Sequence, residues 1–263
     1  MSPTTKDAIA DRLAEARRRT LALVEPLDDS QLNRVYSEIL SPLAWDLGHI
    51  ANFEELWLVQ TIGDREPLHG ELGRFYDAIE NPRKIRGELP ILRDSELRTY
   101  LDDVRERTLE VLEEVEIGAE AEDPLLREGF VYEMLLAHEL QHTETMLQLL
   151  QMVDGYTLPD VPELDLPDRG PSPETSAESS SETIAIEAGT YEIGAGPTGF
   201  AYDNERGRHE VELAAFEIDR LPVSNSDYAE FLEETGAEPP LYWERGPDAS
   251  QPLIHVSWHE AEA

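Results

Sequence analysis

Two histidines four residues apart, His138 and His142 in the run His138-Glu139-Leu140-Gln141-His142, are the residues of this sequence best spaced to do chemistry. On a helix that spacing places both side chains on one face, with Cβ atoms about 5–6 Å apart. Two imidazoles can then reach one ion at metal–nitrogen distances of about 2.0–2.2 Å. Two ligands rarely suffice. His49 is the candidate third, because it sits in an apolar stretch with Trp45 and Phe53 one turn away on either side, where an unpaired polar ring would be costly. Three neutral imidazoles leave about three positions of an octahedral ion open. A lone histidine of this kind is more often a hydrogen-bonded core residue, and a histidine pair at this spacing is common on helix surfaces. Their joint occurrence on two apolar segments is what points to a metal. His69, His209, His255 and His259 fall in loop-like or terminal contexts and receive no ligand role.

The same pentapeptide also fits the zinc-protease pattern, in which Glu139 would be the general base. That pattern needs a third ligand downstream on a helix, or an extended run with Gly and a further His. Neither follows, since Thr143-Glu144-Thr145-Met146-Leu147-Gln148 comes next and a proline-rich stretch soon after.

The elements that must position these residues are helical up to about Tyr156. Ile9, Leu13, Leu21 and Val24 recur along Thr5 to Val24, with Pro26 after the end. Ser41-Pro42 predicts an N-cap followed by proline at the first helical position, opening a helix through Val59 that carries His49. Leu97, Leu101, Val104, Thr108 and Leu112 predict a third helix over Ser95 to Val115, and a fourth runs from about Leu126 to Val153. Four helices joined by loops make a bundle with inward-projecting sites.

Residues 157–183 are rich in Pro, Ser and acids and predict an extended connector. Beyond it the pattern changes to short strands and turns, at Ile184 to Gly194, Val211 to Leu213 and Phe216 to Ile218. A helix is predicted over Ser224 to Thr235, stopped by Gly236, and another begins within His255 to Ala263. The division is therefore 1–156, a helical metal-binding segment; 157–183, a connector; and 184–263, a partial second domain whose core would be small.

Charge bounds the partners. With 57 Asp plus Glu against 21 Lys plus Arg the net charge is -36, so no broad basic face exists to neutralise phosphates and nucleic acid is excluded. The acids are spread along the chain, as expected of a surface suited to a salt-rich cytoplasm. There is no cysteine, hence no disulfide, thiolate metal site or cysteine nucleophile. No apolar run reaches the ~20 residues that span a bilayer, and the first residues lack a signal-peptide pattern, so no membrane is expected and a cytoplasmic location is.

The stretch Ser41-Pro42-Leu43-Ala44-Trp45-Asp46-Leu47-Gly48-His49, together with His138-Glu139-Leu140-Gln141-His142-Thr143-Glu144, resembles the DinB-like amino-terminal domain of the ergothioneine-biosynthesis sulfoxide synthases. The second segment resembles the domain those enzymes share with the formylglycine-generating, sulfatase-modifying factors. The matching pieces are Ala188 to Gly194, Tyr202-Asp203-Asn204-Glu205-Arg206, Leu221 to Tyr228 with Phe231, and His255-Val256-Ser257-Trp258. The resemblance implies an α+β chain: a DinB-like four-helix bundle, then an incomplete, strand-poor sulfatase-modifying-factor domain of the C-type-lectin-like kind.

It also implies an iron(II) enzyme that uses dioxygen to join a thiol sulfur to C2 of the imidazole of trimethylhistidine, giving a sulfoxide. By motif position His49, His138 and His142 become the iron ligands and Gln141 a contact to the substrate imidazole. Arg83 and Arg86 resemble the arginines that hold the carboxylates of the thiol substrate, a task suited to a planar fork. The family's proton-donating tyrosine would fall beyond Ala263, so no catalytic residue is assigned, and the 263-residue chain is expected to bind iron but to be impaired as a synthase. Cysteine and γ-glutamylcysteine stay open as thiol donors, histidine and trimethylhistidine as acceptors, and oligomeric state is undetermined. Two alternatives remain: a DinB-type zinc or nickel thiol-dependent transferase or hydrolase, and a non-catalytic relic of a metal-binding protein.

Overall fold

The computed structural model describes residues 5–160, 183–197, 199–243, 246 and 248–263. The chain divides into two compact units, Met1–Asp165 with Gly196–Arg206, and Leu166–Ala195 with Gly207–Ala263. From residue 161 to 182 the expected connector lies outside the described residues.

The first unit is built from four long helices, α1 (Lys6–Val24), α3 (Leu43–Glu54), α5 (Asp94–Glu114) and α6 (Phe130–Leu150), with the short α2 (Asp29–Asn33) and α4 (Gly73–Tyr76) in the connections. In α1, Thr5 caps the helix by accepting from the Ala8 amide, and Ile9, Leu13, Ala16, Thr20 and Leu23 form the buried stripe. The predicted α5 stripe is likewise buried, at Leu97, Leu101, Val104, Thr108 and Leu112. Helix α3 is different, for Leu43 through Asn52 are all buried. A helix buried on every side belongs in the middle, and α3 packs against both α5 and α6 while α1 packs on α6.

Three boundaries differ from the sequence expectation. The N-cap of α3 is Pro42, with no side-chain cap, because the hydroxyl of Ser41 accepts instead from the Arg86 guanidinium at 2.8 Å. A bond from a buried cation is the stronger use of that oxygen. Past Glu54 the helix widens into a π-helical segment, Glu55–Ile62, in which the fully buried Glu55 accepts from the Tyr100 hydroxyl and the Leu68 amide. Helix α6 begins at Phe130 rather than Leu126, since Glu128 and Gly129 take left-handed conformations at φ 52° and 76° that no α-helix can include. Within the same unit Phe200 meets Phe130 at a ring separation of 5.4 Å.

The second unit nests one antiparallel pair inside another. Strands β2 (Gly189–Ile193) and β3 (His209–Leu213) pair with Tyr191 opposite Val211, and β1 (Thr183–Ile186) pairs with β4 (Phe216–Asp219) with Ile184 opposite Ile218. Helix α7 (Asn225–Thr235) starts on a capping box between Ser224 and Asp227 and stops at Gly236, whose φ of 67° is left-handed. Helix α8 (Trp258–Glu262) opens on a second box, Ser257 with Glu260. Among the described residues no helix is long and apolar enough to cross a membrane.

Candidate metal centre

Helices α3 and α6 pack with their histidines facing, and the candidate ligand atoms of His49, His138 and His142 all lie within 4.8 Å of one another. The Nε2 atoms of His49 and His138 are 3.1 Å apart. Two nitrogens bound to one ion at about 2.1 Å and a right angle lie about 3.0 Å apart, so the pair already has the separation of neighbouring ligands. The three ring centroids form a near-equilateral group, with separations of 4.9, 4.7 and 4.6 Å.

What aims the rings is a set of bonds to their far nitrogens. His49 Nδ1–H donates to the Tyr76 carbonyl at 2.7 Å, and because a carbonyl can only accept, the lone pair of the neutral ring is on Nε2. His142 Nδ1–H donates to the Asp46 carboxylate at 3.2 Å, which leaves its Nε2 free in the same way. A carboxylate or carbonyl behind a ligating imidazole fixes its orientation and raises its basicity. Stacking fixes the ring planes: Trp45 lies over His49 at 4.8 Å and 12°, and Phe53 over His138 at 3.8 Å and 16°.

Electrostatics keeps two of the donors, His49 and His138, neutral. Burial, followed by the neighbouring His142, pushes His49 down to about 3, and burial followed by the other two histidines pushes His138 down to about 2. Neutral imidazole is the form that binds a metal. Burial raises the Asp46 carboxyl, against the pull of His142 and of Arg86. The donor set therefore fits one metal ion with open positions.

Glu139 sits beside the cluster in sequence and apart from it in space. It is 3% exposed, and its Oε1 accepts from Arg17 at 2.9 Å and from Thr20 at 2.8 Å. A carboxylate held by a buried guanidinium cannot serve as the general base of a zinc protease, and that reading is set aside.

The other sequence candidates lie around the cluster in different states. Gln141 is exposed on α6, and Arg83 is exposed while donating to the Ile39 carbonyl at 2.8 Å. Arg86 is buried: it donates to Asn81, Ser41 and Ala78 and stacks over Trp45 at 3.7 Å. Three of its N–H groups are spent on the chain itself. Burial lowers its pKa to about 10, opposed by Asp46.

Sequence reading missed three supports. Asp46, an acid three residues before His49 in an apolar run, carries a readable signal: the i, i+3 spacing puts both on one face. Gly48 does not, because only the fold shows that a Cβ there would strike the Tyr76 ring and hydroxyl. Tyr76 serves through its backbone carbonyl, which no residue type announces.

Comparison with known proteins agrees with this architecture. Residues 12–146 match the DinB superfamily, and residues 169–263 match the sulfatase-modifying factor enzyme 1-like domain. The hercynine oxygenase of Mycolicibacterium smegmatis is 37% identical over 242 residues, covering 90% of this chain and 53% of that protein. The hercynine oxygenase of Mycobacterium tuberculosis is 32% identical over 293 residues, covering 99% of this chain and 66% of that protein. Ergothioneine biosynthesis protein 1 of Neurospora crassa is 28% identical over 221 residues, covering 76% of the chain and 24% of that protein. The chain belongs to the DinB superfamily and, with a sulfatase-modifying-factor segment following the bundle, to the sulfoxide synthase family of ergothioneine biosynthesis. It spans between 53% and 66% of the length of the two hercynine oxygenases described.

Proposed function

We propose that this chain holds iron(II) through His49, His138 and His142 and takes part in joining a thiol, cysteine or γ-glutamylcysteine, to C2 of trimethylhistidine with dioxygen. The single observation behind this reading is the convergence of three imidazoles, with candidate ligand atoms within 4.8 Å of one another and Nδ1 of His49 and of His142 tied to Tyr76 and Asp46. The names of the relatives support the substrate and the use of oxygen. The balance is one thiol, one imidazole C–H and one dioxygen giving one sulfoxide and one water: a C–S bond forms, one oxygen atom goes to sulfur, and the other leaves as water with the two displaced hydrogens.

Iron bound here would supply the activation of dioxygen. The chain's own contribution is positional. Trp45 and Phe53 keep the rings of His49 and His138 from turning, and Tyr76 and Asp46 hold the Nδ1 protons of His49 and His142 away from the metal side. Exposed Gln141 can meet an imidazole arriving from solution, exposed Arg83 can meet a carboxylate with the N–H groups it does not spend on the Ile39 carbonyl, and Arg86 steadies the Trp45 side of the site while contributing positive potential. We place the reaction in a salt-rich cytoplasm on the strength of the -36 charge.

The test is anaerobic loading followed by a mass-spectrometric assay. One iron(II) per chain, lost in His49→Ala, is the expected outcome, with sulfoxide formation impaired and whatever sulfoxide forms dependent on dioxygen. Preferential retention of zinc or nickel, with thiol transfer that ignores dioxygen, would replace this reading with a DinB-type transferase. Metal content unchanged in His49→Ala would point to a relic.

A further inference from the structure

Four of the charged side chains enclosed by the bundle bond to one another. Arg17 on α1 is 7% exposed, Glu54 on α3 is 2% and Glu139 on α6 is 3%, and the fourth, Arg105 on α5, has a side chain 14% exposed. Each of the four long helices supplies one member. Two guanidinium and two carboxylate charges cancel, and the bonds are directional: Arg17 Nε donates to Glu139 at 2.9 Å while its second nitrogen donates to Glu54 at 2.9 Å. Arg105 grips both oxygens of Glu54 at 2.7 and 2.9 Å and lies 3.6 Å from Glu139. Burial opposes the charge on Arg17, yet Glu139 and Glu54 raise its pKa, and the two arginines hold Glu54 low against its own burial.

The two carboxylates are attached to the two ligand helices. Glu139 directly follows His138, and Glu54 lies five residues after His49. Each arginine reaches from a non-ligand helix and touches both carboxylates, so each spans the gap between α3 and α6. An apolar seam tolerates sliding and small rotations, whereas forked bonds of this kind are satisfied in one register only. Rotating a helix by one residue swings its side chains by about 100°, which would carry an imidazole away from a shared point.

We propose that Arg17, Glu54, Arg105 and Glu139 are positioning residues for the metal site: a buried charge quartet that sets the register of α3 against α6 and thereby the convergence of His49, His138 and His142. This rests on the metal reading above and adds residues that touch neither metal nor substrate.

The experiment is cobalt(II) titration, followed by the visible absorption of the bound ion, on the full chain. The variant Arg17→Met, Glu54→Leu, Arg105→Met, Glu139→Leu replaces the quartet by apolar groups, a change that buried ion pairs often tolerate without loss of stability. Its cobalt affinity is expected to fall about tenfold or more, with shifted absorption bands, at temperatures where its circular dichroism matches wild type. If that variant does not fold, Arg17→Lys keeps the charge but cannot span both carboxylates, and it should show the same direction of change. Leu112→Ala serves as a control, a core truncation expected to lower the melting temperature and leave cobalt affinity alone. Wild-type affinity and spectrum in the folded quartet variant, or in Arg17→Lys, would overturn the proposal and spare the metal reading. An equal loss of affinity in Leu112→Ala would overturn it too, by reducing the quartet to general stability. A wild-type chain that takes up no cobalt would remove the metal reading and the proposal together.

Discussion

The helical unit and the strand unit solve the problem of holding shape in different ways. In the bundle Trp45, Tyr100 and Tyr132 are exposed by 1% or less, whereas in the strand unit Tyr228, at 7%, is the one large apolar side chain buried to a similar degree among the described residues. Phe216 and Ile218 stand about half exposed on β4. The bundle draws its definition from packed side chains, and the strand unit draws much of its own from backbone pairing and the two capping boxes. Geometry that must be accurate to a fraction of an ångström, such as a three-ligand metal site, is correspondingly found in the packed unit.

Acid should separate the two units most sharply. In the folded bundle His49 and His138 stay neutral down to about 3 and about 2, while in the unfolded chain both protonate near 6.5. The unfolded state thus takes up more protons between those values, and stability present above pH 6.5 is lost as the pH falls. In the strand unit the hydroxyl and amide of Ser224 hold Asp227 below its ordinary 3.8, so its contribution is present above that value and lost only below it. Circular dichroism of the metal-free chain should show helix loss beginning well before the strand signal changes, and simultaneous loss would erase the contrast.

Truncation comes next. Trp45→Ala should cost about 3–5 kcal/mol in urea unfolding, because it empties a fully buried site. Phe216→Ala should stay within about 0.5 kcal/mol, and a comparable cost at both sites would mean that β4 is covered in solution. Gly48→Ala sharpens the bundle side: its methyl would meet Tyr76, so a loss of about 1–3 kcal/mol is expected. Metal affinity should fall with it, since Tyr76 carries the carbonyl that orients His49. Ser224→Ala should cost about 1 kcal/mol from the lost cap of α7, more than Phe216→Ala but less than Trp45→Ala, measured by the shift in melting of the strand unit alone.

Much of the bundle was legible beforehand because its signals are local. Apolar residues at helical spacing located α1 and α5 to within a residue or so, and Ser224 with Gly236 marked both ends of α7. Where local chemistry suggests a role that the fold does not use, the cause is the same. Ser41 has the chemistry of an N-cap, yet a guanidinium 45 residues away claims its oxygen, and Glu139 has the chemistry of a base, yet Arg17 and Thr20 claim it. A polar side chain has one best partner, and sequence shows only the near ones.

Taken alone, the order of residues determined the period of each helix, the acid excess that excludes nucleic acid, and the identity of three histidines able to share an ion. It could do so because spacing, charge and donor type are properties of the chain itself. Only the tertiary structure decided that His49 faces His138 and His142, that Asp46 and Tyr76 turn their rings, and that four charged side chains of the bundle bond to one another. Those outcomes depend on distances between helices far apart in the chain, and such distances exist only after α3 and α6 have packed.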